Sequence, residues 1–396
     1  MVKRGDMLMK KKQKKIGRPC PVLYHMYLYT AALILRIHGV RLKIDRSGIK
    51  DMSGPALILA PHISLKDHIL VGLTLLPHRP TFVLSEHFMT KPIIRPALKN
   101  LGKVITKKMF CPDVSTIMGI IRAKNEGNVI VLFPEGRLNS VAHSQKVTPG
   151  TAQLVKKLGV DVYTVTGNGS ALVFPKWGEK YRKGKINVTT QKLISKDDIS
   201  GLSVDGISKI VDNAIYHDDE KAMAGEEYIC KNPAEGLESV LYKCPDCNSE
   251  YELTSKGSRV MCKSCGAEFE LGLDYRFKNG RLGSVNEWFY WQIDELSVDT
   301  VLEDDIKIGT PDEKGNMDFN AGTGHIRLDK SELRLTGEVF GEDVSCVVKT
   351  EKIGGMPYTP MREFDIYKDK RLLYLQPSDG RRIIKYVTLV DKINSL

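Results

Sequence analysis

Residues 56–76 read ALILAPHISLKDHILVGLTLL, and the change of character inside this stretch decides the fold. Ala56 to Ala60 form an unbroken apolar run of strand length, Pro61 stops it, and residues 67–76 are apolar with helical spacing. A short, wholly apolar strand that turns directly into a helix belongs to a sheet covered on both faces. The same grammar extends in both directions. Strand-like runs recur at VRLKI (40–44), TFVLS (81–85), NVIVLF (128–133), VDVYTVT (160–166) and INVTT (186–190), and helical stretches fall at VSTIMGIIRAKNEG (114–127) and GTAQLVKKLG (150–159). Residues 38–200 are therefore expected to form an α/β layer with a mixed, largely parallel sheet and helices, in which chemistry gathers at the carboxyl ends of the strands.

Two strand ends carry reactive side chains. After ALILA comes Pro61-His62-Ile63-Ser64-Leu65-Lys66-Asp67. On one continuous helix His62 and Asp67 would point about 140° apart, so they can meet only across a turn. Ser64 and Asp67 make S-x-x-D, a helix-start signal, which places His62 at the strand end and Asp67 in the first helical turn. There the carboxylate can fix the imidazole tautomer and raise the basicity of the other ring nitrogen; the plainer alternative is a capping Asp67 beside a loop histidine. The second end is Phe133-Pro134-Glu135-Gly136-Arg137. Gly136 allows close approach of backbone to a ligand, and the Arg137 guanidinium suits a phosphate. Taken singly, such residues more often make a turn with an exposed ion pair.

Together these segments, H-x4-D with serine two after the histidine and F-P-E-G about 70 residues later, resemble the glycerolipid acyltransferases of the lysophosphatidic acid acyltransferase type over roughly residues 20–215. The resemblance implies that His62 is the general base on the acceptor hydroxyl, that Asp67 orients it, and that Glu135 and Gly136 help bind the acceptor. The family's intermediate motif is echoed by Gly102-Lys103-Val104-Ile105-Thr106-Lys107-Lys108. Lys108 stands at its basic position, Ile105 replaces an aromatic and Lys107 replaces an acid, so the implied phosphate contacts are Lys108 with Lys107 as helper. After F-P-E-G the common Thr-Arg-Ser is Arg137-Leu138-Asn139 here, and Val160-Asp161-Val162-Tyr163 only echoes the fourth motif. The expected reaction moves a fatty acyl group from acyl-CoA or acyl-carrier protein to a lysophospholipid, 1-acylglycerol 3-phosphate first. It uses no redox cofactor and no metal in the chemistry.

Four of the eight cysteines are ordered. Cys244, Cys247, Cys262 and Cys265 spell C-x2-C-x14-C-x2-C, a spacing that sets four thiolates around one tetrahedral Zn²⁺. A full sulfur shell leaves no open position, so the expected zinc is structural. With no secretory signal apparent, a reducing compartment is expected and disulfides are disfavoured. Cys20, Cys111, Cys230 and Cys346 are scattered and need be no more than small hydrophobes.

The chain is 396 residues long, 42% hydrophobic and 27% charged, values that exclude wholesale disorder and a many-spanning membrane protein. Its net charge of +11 is concentrated in the first twenty residues, where Lys3, Arg4, Lys10, Lys11, Lys12, Lys14, Lys15 and Arg18 face the single acid Asp6. A basic arm on a nearly neutral body suits an anionic surface, membrane or nucleic acid. The following apolar segment, residues 22–35, carries tyrosines at 24, 27 and 29 and is shorter than the roughly 20 residues a span needs. It is expected to be an interfacial helix, with an ordinary buried first helix as the alternative. The expected location is the cytoplasmic face of a membrane, peripheral or monotopic.

The expected boundaries are a basic arm (1–20), an acyltransferase domain (21–225), a zinc ribbon (226–272) and a β-rich domain (273–396). The last shows alternating strands and a closing helix-like segment at 382–393, resembling a pleckstrin-homology or GRAM-like barrel. A rival reading is a non-catalytic membrane- or nucleic-acid-binding protein built on the ribbon and the β module. Between residues 243 and 271, however, Lys243, Lys256, Arg259 and Lys263 are outnumbered by Asp246, Glu250, Glu252, Glu268 and Glu270, which disfavours nucleic acid. The ribbon's partner is left open.

Overall fold

The computed structural model describes residues 15–178, 180–368 and 371–395. Most of the basic arm, Lys3 to Lys14, lies outside the described residues. The chain then enters helix α1 (Pro21–Ile37), with proline in its first turn where no amide partner is needed.

The first sheet has seven strands: β1 (Val40–Ile44), β2 (Ala56–Leu59), β3 (Thr81–Ser85), β4 (Ile105–Lys107), β5 (Val129–Leu132), β6 (Asp161–Asn168) and β7 (Gly184–Ile194). They lie in the order β1-β7-β6-β2-β5-β3-β4. Every neighbouring pair is parallel except β6 and β7, so the sheet is mixed and largely parallel. All four residues of β2 and of β5 are buried, because both faces of the central strands are covered. On one face Leu57, Leu59, Ile130 and Leu132 pack with the helices Val114–Asn125, Gly150–Leu158 and Val204–Ile215. On the other, Ala56, Ile58, Val129 and Val131 join the cluster that holds Leu28 of α1 and Leu70 and Leu73 of helix α2 (Asp67–Thr74). Each fully buried aliphatic side chain contributes about 1.5–3 kcal/mol.

α1 packs closely on α2: a Cβ at Gly72 would lie 2.9 Å from a Leu28 methyl and 3.1 Å from the Tyr24 hydroxyl. The rest of α1 turns apolar side chains outward, with Val22, Met26, Tyr29, Leu33 and Ile37 all exposed. It is therefore not an ordinary buried helix; among the described residues no helix is long and apolar enough to cross a membrane.

The cysteine segment forms a small antiparallel sheet of β8 (Leu253–Lys256), β9 (Arg259–Cys262) and β10 (Glu268–Glu270). The aromatic stretch after it is the helix Val285–Asp294, whose fully buried Trp288 donates its indole N–H to the Lys243 carbonyl at 2.9 Å.

A second seven-stranded sheet, antiparallel throughout, follows: β11 (Leu302–Pro311), β12 (Met317–Leu328), β13 (Glu332–Val339), β14 (Glu342–Lys349), β15 (Tyr358–Thr359), β16 (Glu363–Lys368) and β17 (Arg371–Pro377). Its order is β14-β13-β12-β11-β17-β16-β15, and the helix Ile383–Ile393 closes the chain. This β-rich region does not stand apart from the first sheet. Its residues touch the segments that leave the carboxyl ends of β3, β4 and β5: Tyr374 hydrogen-bonds His87, Tyr367 lies under Lys108, and Asp391 pairs with Arg137.

Candidate active site

The segments leaving β2 and β5 are neighbours because those strands pair residue for residue, Leu59 opposite Leu132. His62 and Glu135 consequently emerge side by side. The turn at residues 64–66 swings the chain back so that α2 begins at Asp67. The His62 Nδ1 then lies 3.1 Å from Asp67 Oδ2, which also accepts the Ser64 N–H at 2.8 Å. The S-x-x-D signal thus works through its acid, while the Ser64 hydroxyl takes the Lys66 amide at 3.3 Å. The second Asp67 oxygen accepts the Ser170 hydroxyl at 3.1 Å. Burial pushes the Asp67 carboxyl above the usual carboxylate range, and the bonds from His62, Ser64 and Ser170 pull the other way.

The imidazole stacks on Phe133, with ring centres 4.5 Å apart and planes at 27°. Its side chain remains 28% exposed while that of Asp67 is 7% exposed, so the pair sits at an opening with the acid on the inner side. With Nδ1 engaged by Asp67, Nε2 has no hydrogen-bond partner among the described residues. That arrangement can accept a proton from a bound hydroxyl.

Glu135 is 2% exposed, and its two oxygens accept the main-chain N–H groups of His62 and of Gln145. The expectation that it touches an acceptor therefore changes: both oxygens are committed to backbone, and the carboxyl locks the histidine segment to the loop after β5. Burial pushes its carboxyl up to about 8, against the pull of those two amides. Gly136 has φ +82°, and a Cβ there would lie 3.2 Å from the Phe110 ring and 3.3 Å from the Thr148 methyl, so only glycine fits without strain.

Arg137 also departs from expectation. Its Nε donates to Gln145 Oε1 at 2.8 Å, one terminal nitrogen donates to the Met356 carbonyl at 3.1 Å, and the other pairs with Asp391. With its side chain only 8% exposed, the guanidinium joins the first sheet to the β-rich region rather than opening to a phosphate. Lys107 and Lys108 follow β4. Burial lowers the Lys107 ammonium from its ordinary value, and Lys108 lies 4.0 Å from Glu86 and 5.8 Å above the Tyr367 ring.

Two groups behind the dyad escape a sequence reading. Ser170 holds Asp67, and the Ser170 turn is itself held by Asp219, whose oxygens accept the Gly169 and Ala171 amides at 2.6 and 2.8 Å. His217 binds the same Asp219 at 2.6 Å. The contacts of Ser170 with Asp67 and of Asp219 with the Gly169 and Ala171 amides span 48 to 103 residues of chain, with no local signal to announce them.

The sulfurs of Cys244, Cys247, Cys262 and Cys265 all lie within 4.8 Å of one another. The separations Cys244–Cys265 and Cys247–Cys262 are 3.9 and 3.8 Å, too long for disulfides. Four thiolates at about 2.3 Å from a tetrahedral zinc would stand about 3.8 Å apart, so the donor set fits that ion and leaves no open position.

The site thus joins a largely parallel α/β sheet to a strand-end histidine held by a carboxylate. Residues 39–167 match the Acyltransferase family model. Among solved structures the chain is similar to the 1-acyl-sn-glycerophosphate (LPA) acyltransferase PlsC from Thermotoga maritima, with 17% identity and a TM-score of 0.43, over 51% of this chain and 80% of that one.

Proposed function

We propose that this protein transfers a fatty acyl group from a thioester donor, acyl-CoA or acyl-carrier protein, to the free hydroxyl of a lysophospholipid, with 1-acylglycerol 3-phosphate as acceptor and phosphatidate as product. The observation that carries the reading is the 3.1 Å contact between His62 Nδ1 and Asp67 Oδ2 at the carboxyl end of β2, inside the matched domain. His62 Nε2 takes the hydroxyl proton as that oxygen attacks the thioester carbonyl. The tetrahedral oxyanion collapses, the carbon–sulfur bond breaks, and the imidazolium proton goes to the leaving thiolate. Asp67 stabilises the imidazolium in between. Glu135 fixes the His62 backbone, and Lys107 and Lys108 are assigned to the acceptor phosphate.

The exposed apolar side chains of α1 favour a place at a membrane surface, on its cytoplasmic face, with residues 1–20 meeting anionic headgroups. The four cysteines are assigned a structural Zn²⁺ that holds the segment between the two sheets. The test is acyl transfer from a labelled thioester to lysophosphatidate, glycerol 3-phosphate and other lysolipids. Transfer to lysophosphatidate above the others supports the proposal, and silence with every acceptor and both donor types refutes it.

A further inference from the structure

A cavity of about 360 Å³ opens between the first sheet's segments after β3 and the β-rich sheet, lined on one side by Glu86, Met89, Thr90, Arg95 and Lys99 and on the other by Pro311, Gly315, Arg371 and Leu372. Three of these nine side chains are cations, contributed by both sides. Among the described residues none of the three makes an ion pair. Arg95 spends its terminal nitrogens on the Lys314 carbonyl and the Asn316 side chain, Arg371 directs Nε to the Thr310 hydroxyl at 3.0 Å, and the Lys99 side chain has no hydrogen bond among the described residues. The one acid in the lining, Glu86, lies 4.0 Å from Lys108 and already has a cation. Like charges gathered around one space repel each other unless an anion enters it.

The cavity also has an apolar side, Met89, Pro311 and Leu372, and a volume suited to a small organic molecule. Gly315 keeps φ +74°, and a Cβ there would lie 3.2 Å from a terminal nitrogen of Arg95, so the turn is shaped to admit that guanidinium. Strand order places the site. Glu86 leaves β3, which is two strands from β2, and at about 4.8 Å per strand the cavity begins about 10 Å along the same carboxyl edge from the histidine. Four of the nine lining residues lie beyond 167, outside the matched residues, so the cavity exists only because the β-rich region docks there.

We propose that this cavity binds a phosphate ester, with Arg95, Lys99 and Arg371 around the phosphate and Met89, Pro311 and Leu372 against its organic part. The site stands on its own geometry; only its natural source rests on the proposed reaction, whose two substrates both carry phosphates, one on the lysolipid and one on the donor's nucleotide or carrier arm.

Binding to the full chain is measured by calorimetry with adenosine 3′,5′-bisphosphate, glycerol 3-phosphate and, as the phosphate-free control, adenosine. The expected result is that at least one phosphate binds, that adenosine does not, and that Lys99→Gln with Arg371→Gln weakens binding at least tenfold; the tighter probe names the source. Lys99→Gln alone, at an exposed side chain without hydrogen bonds, gives a severalfold loss in a protein that melts as wild type. Failure of both phosphates to bind, or equal binding to wild type and the double variant, overturns the site. An inactive wild type that still binds phosphate through Lys99 and Arg371 refutes the proposed reaction alone, and an active wild type that binds neither probe refutes this inference alone.

Discussion

Replacing Glu135 by glutamine should change how the stability of the first sheet depends on pH. The side chain is 2% exposed, and burial lifts its carboxyl from 4.5 to about 8. Between these values the folded chain keeps a proton that the unfolded chain has released. Stability contributed by the protonated form is thus complete at acid pH, declines as pH climbs from about 4.5 to about 8, and is constant above that. At about 1.4 kcal/mol per pH unit, a rise of about 3.5 units sets a ceiling of about 5 kcal/mol. Glutamine cannot titrate, so the stability difference between wild type and Glu135→Gln should fall by about 1 kcal/mol for each unit from about pH 5 to about pH 8. A chain with several parts need not unfold in one step, so the assay is hydrogen exchange of the β2 and β5 amides in both proteins. A pH-independent difference would refute the reasoning, because it would mean that the two amide donors keep the carboxylate ionised throughout despite its burial.

Three further outcomes follow from single contacts. Arg137→Met removes the bonds to Gln145, Met356 and Asp391, and should loosen the docking of helix Ile383–Ile393 by about 1–3 kcal/mol, read as faster exchange in that helix with the β2 amides unchanged. Gly72→Ala sets a methyl 2.9 Å from the buried Leu28 and should cost about 1–3 kcal/mol, seen as a lower melting temperature. Cys244→Ser should cut zinc from about one ion per chain to nearly none by elemental analysis, and destabilise the helix Val285–Asp294, whose Trp288 is bonded to Lys243; unchanged zinc would remove the assignment.

Much of the first sheet is legible in the sequence because its strands are short, apolar on both faces and punctuated by proline or glycine. The sequence runs at 56–60 and 128–133 coincide with β2 and β5 to within a residue or two. β4 escapes because a three-residue strand carries no period, and β11 because Asp304 occupies an inward, buried position among Leu302, Ile306 and Ile308. The aromatic helix Val285–Asp294 has large side chains at successive positions, Trp288 to Trp291, which blurs the helical stripe. At the site, the His62–Asp67 contact follows from local turn chemistry and could be read. The commitments of Glu135 to backbone amides and of Arg137 to Asp391 could not, since they depend on loops and a helix brought together across 10, 73 and 254 residues. The cysteine cluster is legible for the opposite reason: its spacing encodes its geometry.

The most direct test of the account is the rate of acyl transfer by His62→Ala beside wild type, with circular dichroism to show that the fold survives. Loss of a general base predicts a fall of roughly a hundredfold to ten-thousandfold at unchanged fold. A variant that retains its rate to within about tenfold would fall below that range and contradict the assignment of His62 as the base.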